Sequence, residues 1–299
     1  MALPQHRVRP GALLRVAVAV ATTTLLAGCA SGTGKDSDSE HHGQPAEMEH
    51  IHGLGVDPAD GTLYAGTHYG LFRIPTTGEP SLVGDHVQDF MGFTVVGPHH
   101  FLASGHPGQG QGGPSSVGLI ESTDGGQNWT PLSLSGEADF HSLDSVNRTI
   151  YGLNAMTGQL MTSSDGRTWD VRSAEAIADF AVDPNRPSTL VATTEQGPFV
   201  STDRGATLTP LPSAPLMVFV DWASDGTLVG VAPDGAVYRS GDRGASWQAR
   251  GKLTGPPEAL DAEAAEAAEA ADAIYAAANG QVWVSDDGGT NFRSVDTEN

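Results

Sequence analysis

Residues 240–247 read Ser-Gly-Asp-Arg-Gly-Ala-Ser-Trp, and the signature returns four more times: STDGGQNW from Ser122, SSDGRTW from Ser163, STDRGATL from Ser201 and SDDGGTNF from Ser285. In chain order the five starts are 41, 38, 39 and 45 residues apart. A fixed period of this size marks a repeat architecture, in which one unit cannot bury its apolar face alone. Each copy lies between two short β-branched or aromatic runs, such as Val237-Tyr238-Arg239 before SGDRGASW, which places it in a hairpin turn. In such a turn the Ser and Asp side chains accept from nearby backbone N–H groups, and Gly126, Gly205, Gly244 and Gly289 supply positive φ. Trp129, Trp169, Trp247 and Phe292 then fold back as apolar plugs. These aspartates are read as turn chemistry, not as catalysts.

Between the turns the chain repeats four short strand-like runs. One unit shows them plainly: Asp179-Phe180-Ala181-Val182, Thr189-Leu190-Val191-Ala192, Pro198-Phe199-Val200 and a run from Leu208. Four-stranded units at this period predict an all-β fold, a β-propeller, and the span from His50 to Val295 accommodates six blades. The stretch DAEAAEAAEAAD at 261–272 reads as a low-complexity insertion between the first two strands of the last blade. Alanine and glutamate favour helix, but so short a run is marginal alone.

The pattern Ser-x-Asp-x-Gly-x-x-Trp resembles the Asp-box, or BNR repeat, of sialidases, sortilin-type receptors and many bacterial propellers. At the N-terminus, Arg7, Arg9 and Arg15 precede an apolar run from Val16 to Leu26, the layout of an export signal. Leu26-Ala27-Gly28-Cys29 is similar to the bacterial lipobox, which implies that Cys29, the sole cysteine, is acylated. The whole resembles bacterial Asp-box propeller lipoproteins, often labelled glycosyl hydrolases. The expected organisation is a signal peptide over 1–28, a disordered tether over 29–48 and the propeller over 49–296. The expected place is the extracytoplasmic side of a bacterial cell membrane, with the lipid as the only membrane contact.

The chain carries 15 Lys and Arg against 36 Asp and Glu, a net −21 that falls to −24 without residues 1–28. Such a surface repels nucleic acid and anionic headgroups, so no nucleic-acid partner is expected. It also repels an anionic sugar. That matters for Phe72-Arg73-Ile74-Pro75, which matches a sialidase motif supplying one of three carboxylate-clamping arginines. Aligning blade 1 with blade 5 sets Arg73 over Arg239, on an outer strand, and the inner strands hold no arginine. Sialidase chemistry is therefore not expected.

The first strands of the blades align as HGLGVD, DFMGFT, DFHSLD, DFAVD, VFVDW and EALD, so five of six open on an ionisable residue. Asp89, Asp139, Asp179 and Glu258 should gather on the face opposite the repeated turns, as ligand groups or as acceptors for backbone N–H groups. His50 and His52 alternate on one strand and project to one side. His68 and His106 close second strands on that same face, with His141 close by, Met48 and Met91 near, and His41 and His42 on the tether. Imidazole and carboxylate without thiolate suit a divalent transition metal such as copper or zinc. Ser104–Ser116, rich in Gly, lengthens one turn over this face as lid or filler. The expected function is a binding or scaffold module for a protein, glycan or metal ligand. A glycosidase using the carboxylate pair Asp89 and Asp139 is the alternative, and a metal-binding protein the third reading.

Overall fold

The computed structural model describes residues 48–295, except 77, 86, 87, 109 and 264–271. The export signal, Cys29, His41 and His42 lie outside the described residues.

Twenty-four strands form six antiparallel sheets, each built from four strands consecutive in sequence. Blade 1 is β1 Ile51–Asp57, β2 Thr62–Thr67, β3 Gly70–Ile74 and β4 Ser81–Leu82; blade 2 is β5 Asp89–Gly97, β6 His100–His106, β7 Leu119–Ser122 and β8 Thr130–Ser133. Blade 3 is β9 Phe140–Val146, β10 Thr149–Asn154, β11 Gln159–Ser163 and β12 Asp170–Ser173; blade 4 is β13 Asp179–Val182, β14 Leu190–Thr193, β15 Phe199–Ser201 and β16 Thr209–Pro210. Blade 5 is β17 Phe219–Trp222, β18 Leu228–Val231, β19 Ala236–Ser240 and β20 Gln248–Lys252; blade 6 is β21 Pro257–Glu263, β22 Ala273–Ala278, β23 Gln281–Ser285 and β24 Arg293–Ser294. The first strands touch in a closed ring, β1 to β5 and onward to β21, which returns to β1. The fold is a six-bladed β-propeller, and no helix occurs among the described residues.

The apolar core is divided among the blade seams. Six buried clusters each join one blade to the next, so a seam is the unit of hydrophobic burial. Leu102, Leu119, Phe140 and Leu143, for example, weld blade 2 to blade 3. Seams need close approach of the inner strands, and Gly92 shows how close: a Cβ there would stand 2.4 Å from the Phe140 carbonyl oxygen. Any side chain would push β5 off β9.

The repeated turns join third to fourth strands, and their geometry follows the sequence reading. Ser240 Oγ donates to Asp242 Oδ1 at 2.8 Å and accepts from Gly244 N–H at 2.8 Å, while Asp242 Oδ1 accepts from Ser246 N–H at 2.8 Å. Blades 2, 4 and 6 repeat this through Ser122, Ser201 and Ser285. Blade 3 has a turn one residue shorter, where Asp165 accepts from Arg167 and Thr168 N–H. Gly126 sits at φ +84, and a Cβ there would meet Leu71 Cδ2 at 2.2 Å. Trp129 folds back to within 5.1 Å of Phe90, and Trp169 stacks on Phe140 at 4.7 Å, as apolar plugs should.

The stretch at 261–272 needs correction. Asp261, Ala262 and Glu263 are the end of β21, paired with Tyr275, Ile274 and Ala273, because Ala262 belongs to the core of the blade 5 to blade 6 seam. Asp272 forms an ion pair with Arg239. The insertion is confined to the residues between them.

Candidate functional site

Strand direction alternates within a blade, so the turns after first and third strands share one face. The turns after second strands share the other face with the links between blades. The histidines expected on that second face are there. His50 precedes β1, His52 lies within it, His68 follows β2 by one residue, Asp89 opens β5 and His106 ends β6. Asp139 immediately precedes β9, which carries His141.

These residues touch in sequence around the rim of blades 1 to 3. The His50 ring stacks over His52 at 6.4 Å, and His68 lies 5.9 Å from His50 and 6.2 Å from His52. His68 Nδ1 stands 3.1 Å from Asp89 Oδ1. Cross-strand pairing sets Asp89 opposite His106. His141 Nε2 donates to Asp139 Oδ2 at 2.9 Å, and His106 Nε2 is 3.6 Å from the same oxygen. His106 Nδ1 donates to the Ser115 carbonyl at 2.7 Å, which pins the base of the Gly-rich loop to the rim.

Rim polar groups are incompletely satisfied. His52 Nε2 and Asp139 Oδ1 are buried atoms without a hydrogen-bond partner among the described residues, and buried Asp89 Oδ1 has its ion-pair contact with His68 but no well-aligned hydrogen bond. Only two further side-chain atoms share that condition. Burial, reinforced by His68, His141 and His50 around it, lowers the His52 pKa to about 4, so its imidazole is neutral near pH 7. Burial also raises Asp89, outweighing the neighbouring imidazoles of His68 and His106.

Asp179 and Glu258 behave differently from the other expected ligand groups, because the fold itself engages them. Asp179 Oδ2 accepts from Val220 N–H of the next blade at 3.0 Å and Oδ1 accepts from Ser142 Oγ at 2.9 Å. Glu258 accepts from Ile51 N–H at 3.2 Å and Gly280 N–H at 2.9 Å, tying blade 6 to blade 1.

Below the rim, a channel cavity of about 130 Å³ holds a second acidic layer that the strand openings did not announce: Asp144, Asp221 and Asp261 with Asp179 above them. The three occupy one register, opposite Tyr151, Val229 and Tyr275. Asp144 Oδ2 accepts from Val182 N–H at 2.8 Å and Asp221 Oδ2 from Ala262 N–H at 2.6 Å, again across blades. They are half-buried, lining a narrow channel between tightly packed inner strands. Burial dominates and raises Asp144 and Asp179 to about 6; it raises Asp221 further, with repulsion from Asp144 and Asp179, and it raises Asp261 well above the usual carboxylate range, with repulsion from Asp221 and Glu263. The sequence signal was the later acid in DFHSLD and EALD and the lone acid of VFVDW.

Arg73 lies on the third strand of blade 1, exposed, as the alignment implied. It lines an outer cleft of about 300 Å³ with Tyr275 and Arg293 at the blade 6 to blade 1 seam. None of these three lines the channel.

No family model matches the chain, and no curated protein matches it. Solved structures do. Ycf48 bound to a D1 peptide shares 17% identity over 85% of this chain and 84% of that chain, with a TM-score of 0.52. A gluconolactonase from Xanthomonas campestris shares 12% over 80% and 86%, with a TM-score of 0.62. A GH74 xyloglucanase from the same organism shares 16% over 83% of this chain and 45% of that chain, with a TM-score of 0.54, so this chain spans under half of that enzyme. Likeness at such identity establishes the propeller fold, which serves peptide binding and sugar chemistry alike.

Proposed function

We propose that this chain is a binding module, a membrane-anchored Asp-box propeller lipoprotein, that takes its ligand on the His/Asp face of blades 1 to 3 without sialidase chemistry. The observation that carries this reading is the pair of buried atoms without a partner among the described residues, His52 Nε2 and Asp139 Oδ1, flanking the Asp89 carboxylate that meets His68. Buried polar atoms are normally satisfied, and here the missing partners cluster on one rim. Tyr69, Met156 and Leu216, three of the four exposed large hydrophobic side chains among the described residues, belong to turns or links on this same face. A polar centre with scattered apolar contacts around it has the anatomy of a binding surface.

The test is a thermal-shift panel of divalent metals, oligosaccharides and peptides on the purified protein, repeated for Asp139→Asn at the rim and His100→Gln on the opposite face. A ligand whose stabilisation is lost in Asp139→Asn and kept in His100→Gln supports the reading. A panel without any rim-dependent ligand, or glycoside turnover abolished by Asp89→Asn or Asp139→Asn, overturns it in favour of an inert rim or of the carboxylate-pair hydrolase.

A further inference from the structure

We propose that His52, His68 and Asp89 bind a divalent transition-metal ion, zinc or copper, with His50 as the fourth donor. This rests on the rim being the ligand site and names the ligand's chemistry.

The argument starts with geometry. His52, His68 and Asp89 each offer a ligand atom, and these atoms all lie within 4.8 Å of one another. Tetrahedral coordination with bonds near 2.0–2.1 Å puts donors about 3.4 Å apart. Each donor therefore has to move inward by about 1 Å or less, within the swing of a side chain in its rotamer well. The three donors come from a strand, a turn and the strand of the next blade, so the backbone holds them while the side chains adjust. His50, exposed and on the same side of the chain as His52, is 5.9 Å from His68 between ring centroids and closes the fourth position by rotation.

Chemistry then selects the ion. His52 Nε2 is buried and lacks a hydrogen-bond partner among the described residues, and Asp89 Oδ1 is buried against His68 Nδ1 at 3.1 Å, itself one of the three donors. The ion pairs of Asp89 and Asp139 are with His68, His106 and His141, and neither carboxylate meets a lysine or arginine among the described residues. Buried carboxylates with no fixed cation are suited to taking a mobile one. Calcium and magnesium require mostly oxygen donors, whereas a set dominated by imidazole favours zinc or copper. A chain of net charge −21 concentrates cations at its surface. The neighbouring Asp139, held by His141 and near His106, adds negative potential without competing for the same three atoms.

The experiment is calorimetric titration of the full, untagged chain in detergent, stripped with chelator, with zinc and separately with copper. Cobalt absorption reports tetrahedral nitrogen and oxygen ligation. One stoichiometric site is expected, weakened at least 100-fold in His52→Ala and in His68→Gln. It should be retained in His100→Gln, and also when His41 and His42 are both changed to Gln. His68 is half exposed, so His68→Gln decides the matter even where His52→Ala fails to fold. Absence of stoichiometric binding, or loss only in the His41 and His42 double variant, overturns the metal site. If in that case another ligand class still stabilises the protein through Asp139, the binding face survives and only the metal assignment fails. If nothing binds the rim, both fall.

Discussion

Asp144→Asn should make the protein more stable at neutral pH. In the folded chain burial raises the Asp144 pKa from 3.8 to about 6. Its carboxyl is thus favoured in the neutral form by about 2 pH units, equivalent to about 3 kcal/mol at 1.36 kcal/mol each. The sign follows from proton binding: between pH 4 and 6 the folded state holds a proton that the unfolded state has released, so stability falls as pH rises through that window. Below pH 4 both states are protonated and the contribution is fully present. Above pH 6 it is gone. Asparagine imitates the neutral acid, and its carbonyl still accepts from Val182 N–H, the bond now made by Asp144 Oδ2 at 2.8 Å. The variant should match the parent near pH 4 and exceed it by about 1–3 kcal/mol at pH 7, roughly 2–10 °C in Tm for a domain this size. Urea unfolding followed by tryptophan fluorescence from pH 4 to 7.5 measures this. The turn aspartates, such as Asp165 and Asp287, which backbone hydrogen bonds hold down to about 2, favour folding in the opposite sense and cancel in the difference between the two proteins. A variant that is less stable at pH 7, or whose advantage does not change with pH, would refute the reasoning.

Two further outcomes are expected. Ser240→Ala leaves the buried Gly244 N–H without its 2.8 Å acceptor and should cost about 1–3 kcal/mol in urea unfolding, with rim ligand affinity unchanged; an affinity loss at constant stability would contradict a purely structural turn. Cys29→Ser should move the protein from the membrane fraction to the soluble fraction after cell breakage, and retention in the membrane would remove the lipid anchor from the proposal.

Much of the fold was legible because the repeated turn is a local device. Ser, Asp and Gly satisfy one another within five residues, so the period, the blade count and the face carrying those turns can all be read from residues close in sequence. The approach of His50, His52 and His68 was legible for a related reason, since the shared face of strand starts and second-strand ends is a geometric rule, whereas His106 lies by Asp139 and Ser115. What the sequence concealed crosses seams. Whether Asp179 and Glu258 were ligand groups or acceptors for backbone N–H groups stayed open because their donors, Val220 and Ile51, belong to neighbouring blades 41 and 207 residues away. Asp144, Asp221 and Asp261 were overlooked because depth in the channel depends on strand register, whereas strand openings are easier to recognise. The pairing of Arg73 with Arg293 in one outer cleft also waits on ring closure, which brings β24 beside β3.

That closure has a consequence for how the molecule assembles. Five seams join blades that follow one another in sequence, and their inner-strand bonds span only 38 to 41 residues where Asp144, Asp179 and Asp221 make them. The sixth joins Glu258 to Ile51, and since every blade is made from its own four strands, no strand is exchanged to staple it among the described residues. A fivefold longer loop adds about 1.4 kcal/mol of closure entropy when the chain is still open. Ring closure is therefore the costliest seam to form from the open chain, and it is the one where Ile51, Leu54 and Leu63 pack on Ala259, Ala277 and Val282. The finished ring has one junction that chain continuity does not protect, and it sits one residue from His50 and His52.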